Sequence, residues 1–191
     1  AKKEGMQLHF VARDRYRQKA DAGFLSELKA QFEDAYIIPE GGSGPNGVRG
    51  ASGMWATQDA AYTHIVMACG TGTTLAGWIQ KVHPNQKIIG VPVFKNGGFL
   101  EAEIQANVSK DPGQFALWLS YGFGGYAKWD DHLEAFIGEM QEKGLPLDPV
   151  YTAKAFWGVW EKIHQGWFPV GSRILFIHTG GLQGAQSLRK G

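Results

Sequence analysis

Two short apolar runs end in threonine and glycine, and they hold the residue types best suited to gripping a ligand. In Arg173-Ile-Leu-Phe-Ile-His-Thr-Gly-Gly-Leu-Gln-Gly184 a row of Ile174, Leu175, Phe176 and Ile177 stops at a hydroxyl and two glycines. Such a row suits a strand covered on both faces, as in a parallel sheet, and ligands sit at the C-terminal edge of such sheets. Thr179 offers a short donor and acceptor there, while Gly180 and Gly181 let the backbone turn sharply against a flat ligand. A plain strand-to-helix turn is the other reading of this motif alone.

The second run, His64-Ile-Val-Met-Ala-Cys69, leads into Gly70-Thr-Gly-Thr-Thr74 and then into Leu75-Ala-Gly-Trp-Ile79, which begins a helix. Backbone N–H groups from Gly70, Thr71, Gly72, Thr73 and Thr74, with three hydroxyls, then surround the positive end of a helix dipole, which makes a phosphate cradle. It lacks the Lys of a P-loop and the third Gly of a dinucleotide fingerprint.

Two tyrosines sit where a phenol can project into a cleft. Tyr126 lies in Ser120-Tyr-Gly-Phe-Gly-Gly-Tyr-Ala-Lys128, and Tyr151 at the mouth of a helix in Leu147-Asp-Pro-Val-Tyr-Thr-Ala-Lys154. Read without further information, both are amphipathic residues at a lobe boundary. Trp78, Trp157 and Trp160 fall at helical positions and read as core packing rather than a stacking platform. Cys69, the only cysteine, sits in an apolar strand, which favours buried packing over nucleophilic chemistry and leaves no disulfide framework. The six histidines lack metal-site spacing, so no metal is expected.

The elements that must position these groups alternate along the chain. Leu8 to Ala12 reads as a strand, Ala22 to Phe32 as a helix with Phe24, Leu25, Leu28 and Phe32 on one face, and Tyr36 to Pro39 as a second strand. The glycine-rich loop from Glu40 to Gly47 marks a lobe boundary. A helix follows from Val48 to Ala61, then the strand and helix around the Gly/Thr turn, then a strand from Lys87 to Phe94. Asp130 to Lys143 carries Leu133, Phe136, Ile137 and Met140 at helical spacing, with Asp130 or Asp131 able to cap it. A helix from Thr152 to Gln165 precedes the final strand. The pattern is α/β, with a mostly parallel twisted sheet flanked by helices. Residues 1–46 read as a small-lobe remnant and residues 47–191 as the large ligand-binding domain.

A chain of 191 residues with 43% hydrophobic content can bury a real core. Its 19 basic and 18 acidic residues are spread along it, without the basic stripe of a nucleic-acid binder. No apolar run approaches a membrane span and no signal segment is visible, so a cytoplasmic protein without membrane or nucleic-acid partners is expected.

Five motifs together resemble a known family. Pro39-Glu-Gly-Gly-Ser43, Cys69-Gly-Thr-Gly-Thr-Thr74, Gly124-Gly-Tyr-Ala-Lys128, Asp148-Pro-Val-Tyr-Thr-Ala-Lys154 and Ile177-His-Thr-Gly-Gly-Leu-Gln-Gly184 stand in the order found in D-cysteine desulfhydrases and 1-aminocyclopropane-1-carboxylate deaminases. That family is similar to tryptophan synthase β subunits and belongs to the fold-type II pyridoxal phosphate enzymes. The resemblance covers essentially the whole chain. It implies pyridoxal 5'-phosphate as cofactor, a small amino acid as substrate, and a homodimer. It also implies that Gly70 to Thr74 hold the cofactor phosphate, that Thr179 and Gly180 meet the pyridine ring, and that Tyr151 and Tyr126 are the active-site tyrosines. A neutral hydroxyl at the ring nitrogen makes a weaker electron sink than a carboxylate. A phenol acts near neutral pH only with a lowered pKa or through a developing charge.

Two departures qualify the resemblance. The family's Schiff-base lysine, in a Gly-Asn-Lys context, and its Ser-Asn-His segment are not found, so the chain reads as a C-terminal fragment short of on the order of a hundred residues, the size of a small domain. Alone it is expected to be inactive. The family's cyclopropane deaminases carry Glu after the helix-mouth tyrosine and lack the later Thr, whereas this chain has Thr152 and Thr179, which favours D-cysteine desulfhydration to pyruvate, sulfide and ammonia. Cyclopropane deamination is the alternative, and a non-catalytic phosphate or cofactor-binding module, or a structural protein, are the readings of another class.

Overall fold

The computed structural model describes residues 4–108 and 115–182. Gln183 and Gly184 of the final motif lie outside the described residues. The chain divides into two compact units, Ala1–Pro39 and Glu40–Gly191. The division thus falls ahead of the 46/47 boundary read from the sequence. The reason lies in the helix that follows: residues from Glu40 on lead straight into it and pack with the large unit.

The first unit carries two helices, α1 (Arg13–Tyr16) and α2 (Ala22–Gln31). Helix α2 stands where the periodicity predicts it, although Phe24 alone of its apolar face is buried. Leu8 to Ala12 and Tyr36 to Pro39 are not strands. A strand is held by a ladder of hydrogen bonds to a neighbour, and among the described residues neither segment has one, so apolar alternation alone leaves them as irregular chain. Phe10, Tyr36 and Ile38 are correspondingly exposed.

The second unit is a four-stranded parallel sheet with helices on both faces. In chain order its elements are α3 (Pro45–Ser52), β1 (His64–Cys69), α4 (Thr73–Ile79), β2 (Lys87–Pro92), α5 (Leu100–Ala106), β3 (Phe115–Leu117), α6 (Asp131–Glu142), α7 (Thr152–His164) and β4 (Ile174–Ile177). The strand order is β3-β2-β1-β4, and every pairing is parallel. All C-terminal strand ends therefore lie along one edge.

Strand β1 is buried throughout, and its alternation sorts the core. Ile65, Met67 and Cys69 pack with Val48, Leu75, Ala76, Trp78 and Ile104 from the side of α3, α4 and α5. Val66 and Ala68 face Tyr121, Ala155 and Val159 on the side of α7. A third layer adds α6, whose Leu133, Phe136, Ile137 and Met140 pack with Leu147 and Ala153. Each fully buried side chain of this size is worth about 2 kcal/mol of transfer free energy, so β1 anchors both faces at once.

The single helix read over Val48 to Ala61 is two pieces. Pro45 opens α3 three residues earlier, where its fixed φ suits a first helical turn, and α3 stops at Ser52. Residues Thr57–Ala61 form a separate 3-10 turn, fixed by Ala56 N–H donating to Asp59 (2.7 Å) and by the Gln86 amide donating to the carbonyls of Asp59 and Tyr62. Strand β3 escapes sequence reading because it is three residues long. Strand β4 is present, but it lies at a sheet edge and is half-buried rather than covered on both faces. Asp130 caps α6 as expected, accepting from the Leu133 N–H at 2.9 Å.

Candidate active site

Three turns leave the C-terminal sheet edge, and they bring the chemically capable residues together. Beyond β1, Gly72 adopts φ +75° and turns the chain into α4. A side chain there would be strained and would meet Ile104 at 2.7 Å, so only glycine lets Thr71 to Thr74 close up. Among the described residues, the N–H groups of Gly72, Thr73 and Thr74 find no backbone carbonyl, and the hydroxyls of Thr71 and Thr73 lie 2.8 Å apart. Thr71, Thr73 and Thr74 are half-buried, within reach of a ligand. Gly41 lies against Thr71, where an added methyl would approach to 2.5 Å, so the Glu-Gly-Gly motif backs the cradle.

Beyond β4, Thr179 is exposed at the same edge, and Gly180 and Gly181 both have positive φ. Their turn is latched by His178. Its Nε2 lies 2.8 Å from the carbonyl of Pro146, and its Nδ1 accepts from the Gly180 N–H at 3.2 Å. This pair of bonds fits one neutral tautomer, with the proton on Nε2. Gly181 in turn rests on Asp148, leaving no room for a side chain.

Asp148 was not singled out from the sequence, yet it organises the start of α7. Its carboxylate accepts from the N–H groups of Val150 (3.0 Å), Tyr151 (2.8 Å) and Thr152 (2.9 Å), and from the Thr152 hydroxyl at 2.6 Å. Thr152 also accepts from the Asp148 N–H at 2.8 Å. These bonds satisfy donors that a helix start leaves unpaired. The signal available in the sequence was the Asp-Pro-x-x-Thr spacing just before a helix. Thr152 is fully buried with its hydroxyl committed to Asp148, so it shapes the helix mouth rather than facing the cleft.

The helix mouth aims Tyr151 at the Gly/Thr turn. A methyl at Gly70 would lie 3.3 Å from the Tyr151 ring, so the glycine gives the phenol its place beside the cradle. Tyr151 Oη donates to Tyr126 Oη at 3.3 Å, and the Tyr126 ring stacks on Phe94, with centroids 6.0 Å apart, beyond the end of β2. Tyr126 is 54% exposed and Tyr151 half-buried, so the pair has an open side. Burial, then the bond to Tyr126, push the Tyr151 phenol above its ordinary range, helped by the charges of Asp148 and Glu40. These influences keep the Tyr151 phenol in its protonated form near neutral pH.

Cys69 is buried, and desolvation pushes its thiol up to about 12, which bears out packing over reactivity. Trp78 is buried in the core as read from its spacing. Lys154 is the second residue missed from the sequence. It is wholly buried, and its ammonium donates to the carbonyls of Val93 (3.3 Å), Gly122 (2.9 Å) and Gly125 (2.6 Å). Burial pulls its pKa down to about 8, with the charge of Asp148 working against that shift. Among the described residues no group of three or more His, Cys, Asp or Glu is placed to hold a metal, and no helix is long and apolar enough to cross a membrane.

The parallel sheet, with a glycine-threonine turn and a pair of phenols at its C-terminal edge, is the architecture in which α/β proteins place ligands at that edge. Comparison with known proteins narrows this. No protein-family model matches the chain. A proposed 1-aminocyclopropane-1-carboxylate deaminase of Pyrococcus furiosus is 36% identical over 178 residues, covering 83% of this chain and 53% of that protein. The corresponding protein of Pyrococcus horikoshii is 33% identical over 174 residues, with the same coverage. A D-cysteine desulfhydrase of Yersinia enterocolitica is 31% identical over 179 residues, covering 84% of this chain and 54% of that protein. The crystal structure of a 1-aminocyclopropane-1-carboxylate deaminase homologue superposes with a TM-score of 0.77 at 29% identity, over 99% of this chain and 64% of that one. The chain spans about half the length of the curated relatives it matches. Over that span it is homologous to proteins named D-cysteine desulfhydrase and 1-aminocyclopropane-1-carboxylate deaminase.

Proposed function

We propose that this chain is the cofactor-holding part of a pyridoxal phosphate enzyme that converts D-cysteine, or a similar β-substituted D-amino acid, to a keto acid, ammonia and the released β-substituent. The observation that carries this reading is the convergence of the Gly70 to Thr74 turn, the Tyr151–Tyr126 pair and the Thr179 turn at one sheet edge.

The residues fit the group on their own chemistry. Gly72, Thr73 and Thr74 offer free N–H donors beside two hydroxyls, a donor set suited to a phosphate dianion. Gly70 leaves a surface that a side chain would fill, under the Tyr151 ring. Pyridoxal phosphate, when bound, supplies an electron sink that acidifies the substrate's α-carbon. The protein's part is orientation and proton handling. Thr179 would offer the ring nitrogen a neutral hydroxyl, Tyr151 would hold a proton at its phenol oxygen for transfer near the substrate, and Tyr126 would keep that oxygen in place.

Elimination of a thiolate, a good leaving group, tolerates the weaker sink that a hydroxyl at the ring nitrogen provides. Opening a cyclopropane ring demands more. This favours D-cysteine. The second reading, cyclopropane deamination, is favoured by the names of the relatives at 33% and 36% identity.

The cradle is tested by titrating the chain with inorganic phosphate and with pyridoxal phosphate by calorimetry. Gly72→Val strains the turn and drives a side chain against Ile104, so it should abolish binding of both. Unchanged affinity in that variant would remove the cradle from the reading.

A further inference from the structure

The segment Gly122 to Lys128, which carries Tyr126, is in an unusual conformation. Phe123, Gly124, Gly125 and Ala127 all have positive φ, at +47°, +81°, +128° and +53°. Two of the four are not glycine, and such a backbone persists only where its surroundings over-determine it. Its internal bonds are few: Gly125 N–H donates to Gly122 O at 2.9 Å, and Lys128 N–H to Gly125 O at 3.2 Å. Those two carbonyls are the ones that also accept from Lys154. The third acceptor, Val93 O, belongs to the residue after β2, whose N–H still bonds Cys69 O at 3.1 Å. Beyond it, Phe94 stacks on Tyr126.

The geometry points to Lys154 as a positioning residue: an internal cation, caged by three backbone carbonyls, that ties the Gly122 to Lys128 segment to the sheet edge and so sets Tyr126 against Tyr151. A carbonyl has no charge of its own to offset an ammonium, but three of them fully occupy its three hydrogens. A neutral side chain of similar length takes the ammonium's donor from all three carbonyls, leaving Gly122 O and Gly125 O only the backbone N–H groups within the segment, and the loop then gains by opening to water. The cage therefore couples a burial requirement to the placement of a phenol. This inference rests on the reading that the phenol pair belongs to the reaction site, while the placement itself is measurable without any cofactor.

The test uses the whole chain near pH 7. Lys154→Met should raise amide hydrogen exchange in the peptide covering residues 122–128 by at least about tenfold, the effect of losing one to two buried hydrogen bonds, with β1 and α6 unchanged. Tyr151 ionisation, followed by ultraviolet absorbance as the difference from a Tyr151→Phe background, should fall toward the ordinary tyrosine value as Tyr126 departs. Unchanged exchange overturns the tie, and unchanged Tyr151 ionisation overturns the placement of the phenols. Lys154→Ala deletes the equivalent of propylammonium. Added propylammonium should restore slow exchange, or refolding yield if the variant does not accumulate folded, and 1-propanol should not. Rescue by neither, or by both equally, overturns the internal cation. Loss of phosphate binding at the Gly/Thr turn is separate: it would remove the functional reading and leave these outcomes standing.

Discussion

The Tyr151–Tyr126 contact is a single hydrogen bond of 3.3 Å, and it ranks behind burial as a cause of the raised Tyr151 pKa. Tyr126→Phe should therefore lower the Tyr151 ionisation only part of the way to its ordinary value, as an alkaline absorbance titration would record. Tyr121 is raised as well, by burial and then by its bond to Glu161 at 2.6 Å. A phenol whose folded pKa lies above its unfolded value, near 10, lends stability that is complete below that value and is lost as pH rises through the folded one. The chain should thus lose stability above about pH 10, and Tyr151→Phe should shrink that loss, as thermal midpoints against pH would show. In a protein completed to the relatives' length, Tyr151→Phe should also cut turnover more than cofactor affinity, since a proton carrier acts in the transition state. Equal losses in both would assign the phenol to holding the ring instead.

At the scale of elements, the start of α7 is the part on which most depends. Asp148 gathers three N–H groups and a hydroxyl in a buried setting, and Asp148→Ala leaves these donors without partners. A cost of about 2–3 kcal/mol is expected from urea unfolding, at the upper end for a helix cap because the donors are buried. Asp148→Asn, which keeps an acceptor, should recover part of it. The turn after β4 is coupled to the same carboxylate through Gly181, where a methyl would approach Asp148 to 2.8 Å at a φ of +87°. Gly181→Ala should disturb Thr179 without touching the sheet, seen as weaker pyridoxal phosphate binding with unchanged phosphate binding. Helices α3 and α4 meet with equal economy: a methyl at Gly77 would lie 2.6 Å from that of Ala51.

For the molecule as a whole, the matched span is about half the length of the relatives, and activity is to be compared with and without the remainder of that length. This chain alone should release no pyruvate from D-cysteine beyond the rate of free pyridoxal phosphate, because the one lysine buried among the described residues is committed to three carbonyls. Completed to the relatives' length, it should release pyruvate from D-cysteine faster than 2-oxobutyrate from 1-aminocyclopropane-1-carboxylate. The reverse preference would sink the substrate reading and leave the fold as it is.

The sequence alone determined the strong periodic elements and their order. A continuous apolar run of six residues can bury both faces only inside a sheet, hence β1, and an Asp before spaced Leu, Phe, Ile and Met can only start a helix buried on one side, hence α6. It also supplied the glycine and threonine turns at the sheet edge, since glycine and threonine after a strand carry their chemistry locally. Tertiary structure decided whatever depends on distant partners. Leu8 to Ala12 and Tyr36 to Pro39 have strand-like composition but form no strand ladder among the described residues, where β4 is an edge of the sheet. Asp148 and Lys154 look like ordinary charged residues in the chain, because a carboxylate's donors and an ammonium's carbonyls are set by folding: the Lys154 cage joins residues 93, 122 and 125 to a helix far along the sequence. Local pattern fixes which groups are present, and only the packed sheet edge, by excluding water and fixing distances, decides which of them meet.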